Sequence, residues 1–299
     1  MTKSKPLLSR EVFIELHEAL ETKIFNKKTT PTGQKLLSEE AYKNLLSQGA
    51  KSLKATNRTV RTEFATEAHA SLRHHLNEFP QTGLSFLTLA PKACCVPMDG
   101  EHDRAIEDLQ ILLYEWFGGF SFYGFIEPSL FANFSVNPTN KKTIAWHVHM
   151  LVWEDDVNSF EEVAEIIDCF NHSHEALIPG KAAGHIREVS HQQALNRIWY
   201  MSKAPLRDIR VFRSARTRGY KSKKRLLRPG QAISLHNLMS HMTMPDLCVS
   251  NFRGDLLSER AKQVTIEKVA QQQEKRLDNY YRRKKRGNPI PVSVKASDQ

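Results

Sequence analysis

Two long apolar stretches with one turn between them constrain the fold of this chain more than any other feature. Residues 120–134 and 143–153 are dense in aromatic and β-branched side chains, and Asn137-Pro138-Thr139-Asn140 between them is a turn sequence. Together they predict an antiparallel hairpin. Upstream, residues 84–90 read as a strand ended by Pro91. Residues 103–116 read as an amphipathic helix with Ile106, Leu109, Leu112 and Leu113 on its inner face, closed by Gly118-Gly119. Downstream come a second amphipathic helix at 160–170 and a short strand at 184–189. The order β-α-β-β-α-β predicts an α+β fold: a ferredoxin-like split βαβ antiparallel sheet with flanking helical segments. Its helices lie on one face, and the other face is open to carry a site.

Three domains are expected: an N-terminal helical segment at 1–80, the sheet domain at 81–206, and a basic, mainly helical region at 207–299. In the first, helices are predicted at 10–25 (Phe13, Leu16, Leu20 and Ile24 on one face), 38–54 and 59–78, before Pro80-Gln81-Thr82-Gly83 breaks the pattern. A helix over 192–204 follows the last strand. Residues 231–286 return to helical patterning, and the chain from Gly287 reads as disordered.

The net charge of +10 is unevenly spread: +4 over 1–80, −10 over 81–185 and +16 over 186–299. A carboxylate-rich centre suits a divalent cation, and a strongly basic flank suits a polyanion, with nucleic acid the best candidate. The basic run at 207–228 supplies the candidate DNA-binding residues Arg207, Arg210, Arg213, Arg216, Arg218, Lys221, Lys223, Lys224 and Arg225. No apolar run approaches the roughly 20 residues of a membrane span, and no signal-peptide core is present. Four cysteines without a framework spacing predict a reducing environment and free thiols. The expected location is cytoplasmic, without membrane contact.

Within 143–153, His147 and His149 are separated by one apolar residue. On a strand they project from the same face, roughly 7 Å apart, close enough to converge on one metal ion, while Trp146, Val148, Met150 and Val152 take the core face. Glu127, on the preceding strand, becomes a third ligand if the two strands pair; a salt-bridged strand residue is the competing reading. Two imidazoles and a carboxylate leave open positions for a substrate oxygen, which favours Mg²⁺ or Mn²⁺ on a phosphodiester over a closed structural zinc. Tyr200 offers a nucleophile. Lys203, three residues on and so on the same helical face, can favour the phenolate or hold the phosphate.

Three stretches in this order resemble the motifs of the HUH endonucleases, specifically the rolling-circle replication initiator (Rep) proteins. Phe86-Leu87-Thr88-Leu89-Ala90 is similar to their first strand motif, Trp146-His147-Val148-His149-Met150-Leu151 to the His-hydrophobic-His motif, and Tyr200-Met201-Ser202-Lys203 to the Tyr-x-x-Lys motif. Glu127 matches the acidic residue that family members often add as a ligand. The resemblance covers roughly residues 84–205. It implies site- and strand-specific nicking of single-stranded or hairpin origin DNA, with Tyr200 ending on the 5′-phosphate and the reverse transfer rejoining the strand. The chain departs from the family pattern at Ala90, where Thr is usual, and at Ala204, where Tyr often follows the Lys. With Asn196 and Ala204 four residues either side of Tyr200, it would be a single-tyrosine member. No Gly-x-x-x-x-Gly-Lys-Ser/Thr stretch occurs, so a separate helicase and a DNA polymerase are implied partners. A transposase or mobilisation nickase with the same chemistry, or a non-catalytic basic DNA-binding protein, are the alternatives. The oligomeric state is not legible.

Other candidates carry less. Cys169, His172 and His174, with Cys94, Cys95 and His102, lack the paired Cys-x-x-Cys units of a zinc site. His185, His191, His236 and His241 read as surface or cap residues, and Asp155 and Asp156 as caps of the next helix. The basic cluster at 282–286 reads as a solvated helix end.

Overall fold

Strands β3 (Ser121–Phe131) and β4 (Thr143–Trp153) pair antiparallel along their whole length, from Ser121 opposite Trp153 to Phe131 opposite Thr143. The hairpin is the centre of a computed structural model that describes residues 8–45, 50, 52–134, 142–214 and 219–285, with side chains as far as residue 272. The turn expected at 137–140, Arg216, Arg218 and the chain from Gly287 lie outside the described residues. Gly124 allows the close pairing: a Cβ there would overlap Met150 and the His149 carbonyl.

Before the hairpin the chain forms α1 (Arg10–Lys28), α2 (Pro31–Leu36), α3 (Glu39–Leu45), α4 (Arg58–Glu78), β1 (Leu84–Leu89), β2 (Cys95–Pro97) and α5 (His102–Phe117). After it come α6 (Phe160–Ser173), β5 (Gly184–Val189), α7 (His191–Ser202), β6 (Arg207–Arg213), β7 (Tyr220–Leu226), α8 (Pro229–Leu238), α9 (Met244–Leu247), β8 (Cys248–Asn251) and α10 (Arg253–Lys285). The sheet runs β5-β1-β4-β3-β6-β7, with β2 added to β4 and β8 to β3. β1 is antiparallel to both β4 and β5, and β6 joins β3 in parallel. The fold is therefore α+β, built on a mixed sheet.

The sequence did not signal three of these additions. The 207–299 region, expected to be mainly helical, opens with the β6–β7 hairpin, and both strands join the same sheet. β8 is four residues long, too short for its pattern to stand out beside helical neighbours. β6 meets β3 only at Leu130 and Phe131, which leaves Phe122–Phe125 free to pair with β8.

One side of β4 carries Ile144, Trp146, Val148, Met150 and Val152, all fully buried. The crossover helices α5 and α6 cover this side: Trp146 Nε1 donates to His102 Nδ1 at 3.1 Å, and Phe170 and Ile167 lie beside Gly184. The opposite side is not the open face expected from the split βαβ pattern. α4 packs there through Phe64 against Phe125, with ring centroids 5.9 Å apart, and α7 packs there through Tyr200 against His149. β4 is apolar on both faces apart from Thr143 at its start and its two histidines, and a strand of that composition is covered on both. Asp155 and Asp156 also differ from expectation. α6 starts at Phe160, so neither caps it; Asp155 pairs instead with Arg253 at 2.8 Å and with His75 at 3.2 Å.

Buried polar contacts tie the N-terminal helices to the C-terminal end of α7. His17 Nε2 accepts the backbone N–H of Ala204 at 2.9 Å, so its proton is on Nδ1, which donates to the Phe13 carbonyl at 2.7 Å. Arg61 donates to the carbonyls of Ala55 and Ser202. His236, expected at the surface, is buried and bonded to the Ala41 carbonyl. Burial pushes His17 down to about 3 and His236 down to about 4. Because folding lowers both values, the unfolded chain binds more protons below pH 6.5, and stability falls as the pH drops from there toward each folded value. Between pH 7 and pH 5 the two should together cost about 4 kcal/mol, at 1.36 kcal/mol per pKa unit. Urea titrations at the two pH values should show the loss, and His236→Gln should shrink it.

All four cysteines are free thiols, and no helix among the described residues is long and apolar enough to cross a membrane.

Candidate functional site

The β3–β4 register sets Glu127 opposite His147 and Phe125 opposite His149, while β1 sets Thr88 opposite His149 from the other side. Alternation then carries Glu127, His147 and His149 to the face shared with α7. Glu127 Oε1 lies 3.1 Å from His147 Nε2 and 3.3 Å from His149 Nε2. Among the described residues this is the one group of three buried ligating side chains whose donor atoms lie within 4.8 Å of one another. Cys169, His172 and His174 form no such group; both histidines bond to backbone carbonyls one turn back in α6.

The donor chemistry fits a divalent cation. Both imidazoles turn Nε2 toward the carboxylate. His149 Nδ1 is held by the Thr88 hydroxyl at 2.7 Å, the kind of outer contact that orients a metal-ligating histidine. Burial pushes His149 down to about 3, against the opposing hydrogen bond to the Glu127 carboxylate, so the ring is neutral at pH 7 and keeps a lone pair to give. Burial works to raise Glu127, but the Lys203 ammonium and the two histidine hydrogen bonds outweigh it and hold the carboxyl well below the usual range. The carboxylate is therefore ionised. Thr88→Val should weaken Mn²⁺ binding by about tenfold to a hundredfold, as loss of outer-shell partners does. Titration calorimetry would measure it.

Tyr200 stands beside this group, its ring centroid 4.9 Å from that of His149 and 6.2 Å from that of Phe86. A Ser190–Gln193 capping box starts α7 and fixes its phase. Lys203 reaches the site by a different route from the expected shared helical face. α7 ends at Ser202, and Lys203 is extended, with its flanks held by Arg61 and His17. Its ammonium bonds both oxygens of Glu127, at 2.8 and 2.9 Å, and lies 4.1 Å from the Tyr200 ring centre. Burial, then the Glu127 charge, raise the Tyr200 phenol above its ordinary value; Lys224, Arg197 and Arg187 pull it back. Lys203, the cation expected to favour the phenolate, is engaged by the carboxylate.

Glu127, Tyr200 and Lys203 open into a cleft of about 900 Å³ where, among the described residues, Glu127 is the one acid and the cations are Arg187, Arg197, Lys203, Arg207 and Lys224. The candidate basic residues are thus divided by the pleat of β6 and β7. Arg207 and Lys224 share the face that lines the cleft, and Arg213 stacks on its cross-strand neighbour Tyr220. Arg210, Lys221, Lys223 and Arg225 share the opposite face, where Arg210 lies 3.9 Å from the buried Asp208. Arg187 and Arg197 were not among the sequence candidates. Arg197 is one helical turn before Tyr200 and could have been found by its spacing. Arg187 enters through its register opposite Phe86, which no local pattern reveals.

No protein-family model, curated protein or solved structure matches this chain.

Proposed function

We propose that this protein is a metal-dependent DNA nickase and strand transferase of the HUH type, with Tyr200 as nucleophile. The observation that carries the reading is the juxtaposition of Tyr200, 4.9 Å ring to ring from His149, with the buried Glu127-His147-His149 group, which Glu127 joins to a cationic cleft. The strand order β5-β1-β4-β3, antiparallel throughout, is the one a ferredoxin-like split βαβ core requires, and it supports the resemblance in the three motifs.

In the proposed reaction Tyr200 Oη attacks phosphorus of a single-stranded DNA backbone. The Oη–P bond forms, the P–O3′ bond breaks, and the phenolic proton ends on the departing 3′-oxygen. The product is a 5′-phosphotyrosine and a free 3′-OH, and reversal rejoins a strand without another reactant. Glu127, His147 and His149 would hold Mg²⁺ or Mn²⁺, an ion that would polarise the scissile phosphate and offset charge gathering on it. Lys203, bonded to both oxygens of Glu127 and 4.1 Å from the Tyr200 ring centre, would offset charge on the phosphate or the phenolate. Arg187, Arg197, Arg207 and Lys224 hold flanking phosphates. The biological role this chemistry fits is initiation of rolling-circle replication in the cytoplasm, with a separate helicase and polymerase.

Incubation with a library of single-stranded DNA and Mn²⁺ should yield a protein–DNA band that survives denaturing electrophoresis and vanishes with a chelator. His149→Ala should abolish that band and leave DNA binding in place. Salt-dependent binding with no adduct under any metal condition would instead favour a non-catalytic DNA-binding protein.

A further inference from the structure

A second depression lies beside the Tyr200 cleft, on the adjoining stripe of α7. α4 contributes one helical stripe to it, including His69, Arg73, His74 and Asn77, and Gln192 of α7 and Arg10 of α1 face them. The two helices run antiparallel, since Arg61 near the start of α4 bonds Ser202 at the end of α7 and His69 packs on Trp199 with centroids 5.6 Å apart. Among the described residues, no aspartate or glutamate lines this groove. Arg10 and Arg73 are exposed and have no ion-pair partner among the described residues. Two acids of α4, Glu63 and Glu67, are turned away to pair with Lys268 of α10.

Groove and cleft are continuous. Asn196 lines both, and at two further points adjacent residues divide between them: Leu8 and Gln193 in the cleft, Ser9 and Gln192 in the groove. From Thr66 to Asn77 the α4 stripe is about 16 Å long, room for about four or five stacked nucleotides. Guanidinium groups for phosphates, imidazole faces for bases and amides for base edges are the surface that single strands use without sequence preference.

We infer that this groove is a lane for single-stranded nucleic acid, carrying the strand that flanks the scissile phosphate across the N-terminal helices; the inference rests on the nickase reading of the cleft. It gives the start of α1 and the helix α4 a role in substrate grip.

The test uses the full chain and thymidine oligonucleotides of graded length, with binding followed by fluorescence anisotropy in chelator across a salt series. In the double variant Arg10→Gln, Arg73→Gln, affinity for long oligonucleotides should fall about tenfold. The salt slope should flatten by about 1.4, at about 0.7 per phosphate contact on a single strand. Oligonucleotides short enough to fill only the cleft should bind as before, and adduct yield on a short cleavable strand should be unchanged. Both arginines are exposed on helix surfaces, and an unchanged thermal midpoint would confirm the fold. Wild-type behaviour of the variant at every length, equal losses at every length, or no single-strand binding by the wild type would each overturn the lane. If the wild type forms no adduct while the long-strand losses appear, the nickase reading falls and the lane stands; if it forms the adduct and the losses do not appear, the lane alone falls.

Discussion

Tyr200→Phe should remove the covalent protein–DNA adduct and lower nicking by about a thousandfold or more, the scale expected when a covalent nucleophile is lost. The substitution is clean. The phenol oxygen makes no hydrogen bond to protein among the described residues, so its loss strands no partner. The ring contacts with His149 and Phe86 remain available to phenylalanine. Stability should therefore change by no more than about 0.5 kcal/mol, and affinity for single-stranded DNA in chelator should stay close to wild type. Loss of activity with both retained assigns the oxygen to the chemistry. A variant that still forms the adduct would assign the nucleophile elsewhere.

Glu127 is where stability and function are most tightly joined, and its removal should have the largest structural effect. Glu127→Ala leaves the Lys203 ammonium, 17% exposed, without its carboxylate, and leaves two inward-turned imidazole nitrogens without an acceptor. Removing one partner of a buried ion pair costs about 3–5 kcal/mol, and a chemical denaturation series should register a loss of that order. Glu127→Gln separates packing from charge. It keeps the shape and one acceptor, so its loss should be nearer to about 1–3 kcal/mol, while its metal affinity should collapse. The wild type should gain about 2.7 kcal/mol from Mn²⁺ at a hundred times its dissociation constant, a gain that Glu127→Gln should lack at the same concentration. Were Glu127 only a salt-bridged strand residue, Mn²⁺ would not stabilise the wild type at all.

How far the site was legible follows from the reach of each interaction. His147 and His149 are two residues apart on one strand, so the period of two sets their common face. Glu127 came with them because the two strands are close in sequence and pair along their whole length. Tyr200 and Lys203 were visible as residue types at a familiar spacing, yet the geometry joining them was not. Lys203 lies beyond the helix end, and its placement depends on His17 and Arg61, well over a hundred residues away in sequence. The same limit applies to Arg187, Thr88 and the cover supplied by α4, each of which depends on long-range packing or on register. The basic run from 207 carried its charge in plain sight, but which residues face the cleft follows from the pleat of a hairpin that composition alone does not reveal. The helical periodicity of α4 and α7 gave their extents to within about two residues, whereas β8 was hidden by its length.

The central claim is that Tyr200 and the Glu127-His147-His149 group form one reactive centre. Its most direct test is to isolate the adduct formed with single-stranded DNA and Mn²⁺, digest both components, and locate the nucleotide-bearing peptide by mass spectrometry. The account predicts a 5′-phosphate ester on Tyr200 in the wild type and none in His149→Ala. A nucleotide carried by another residue, or an adduct on Tyr200 that forms equally well in His149→Ala, would contradict it.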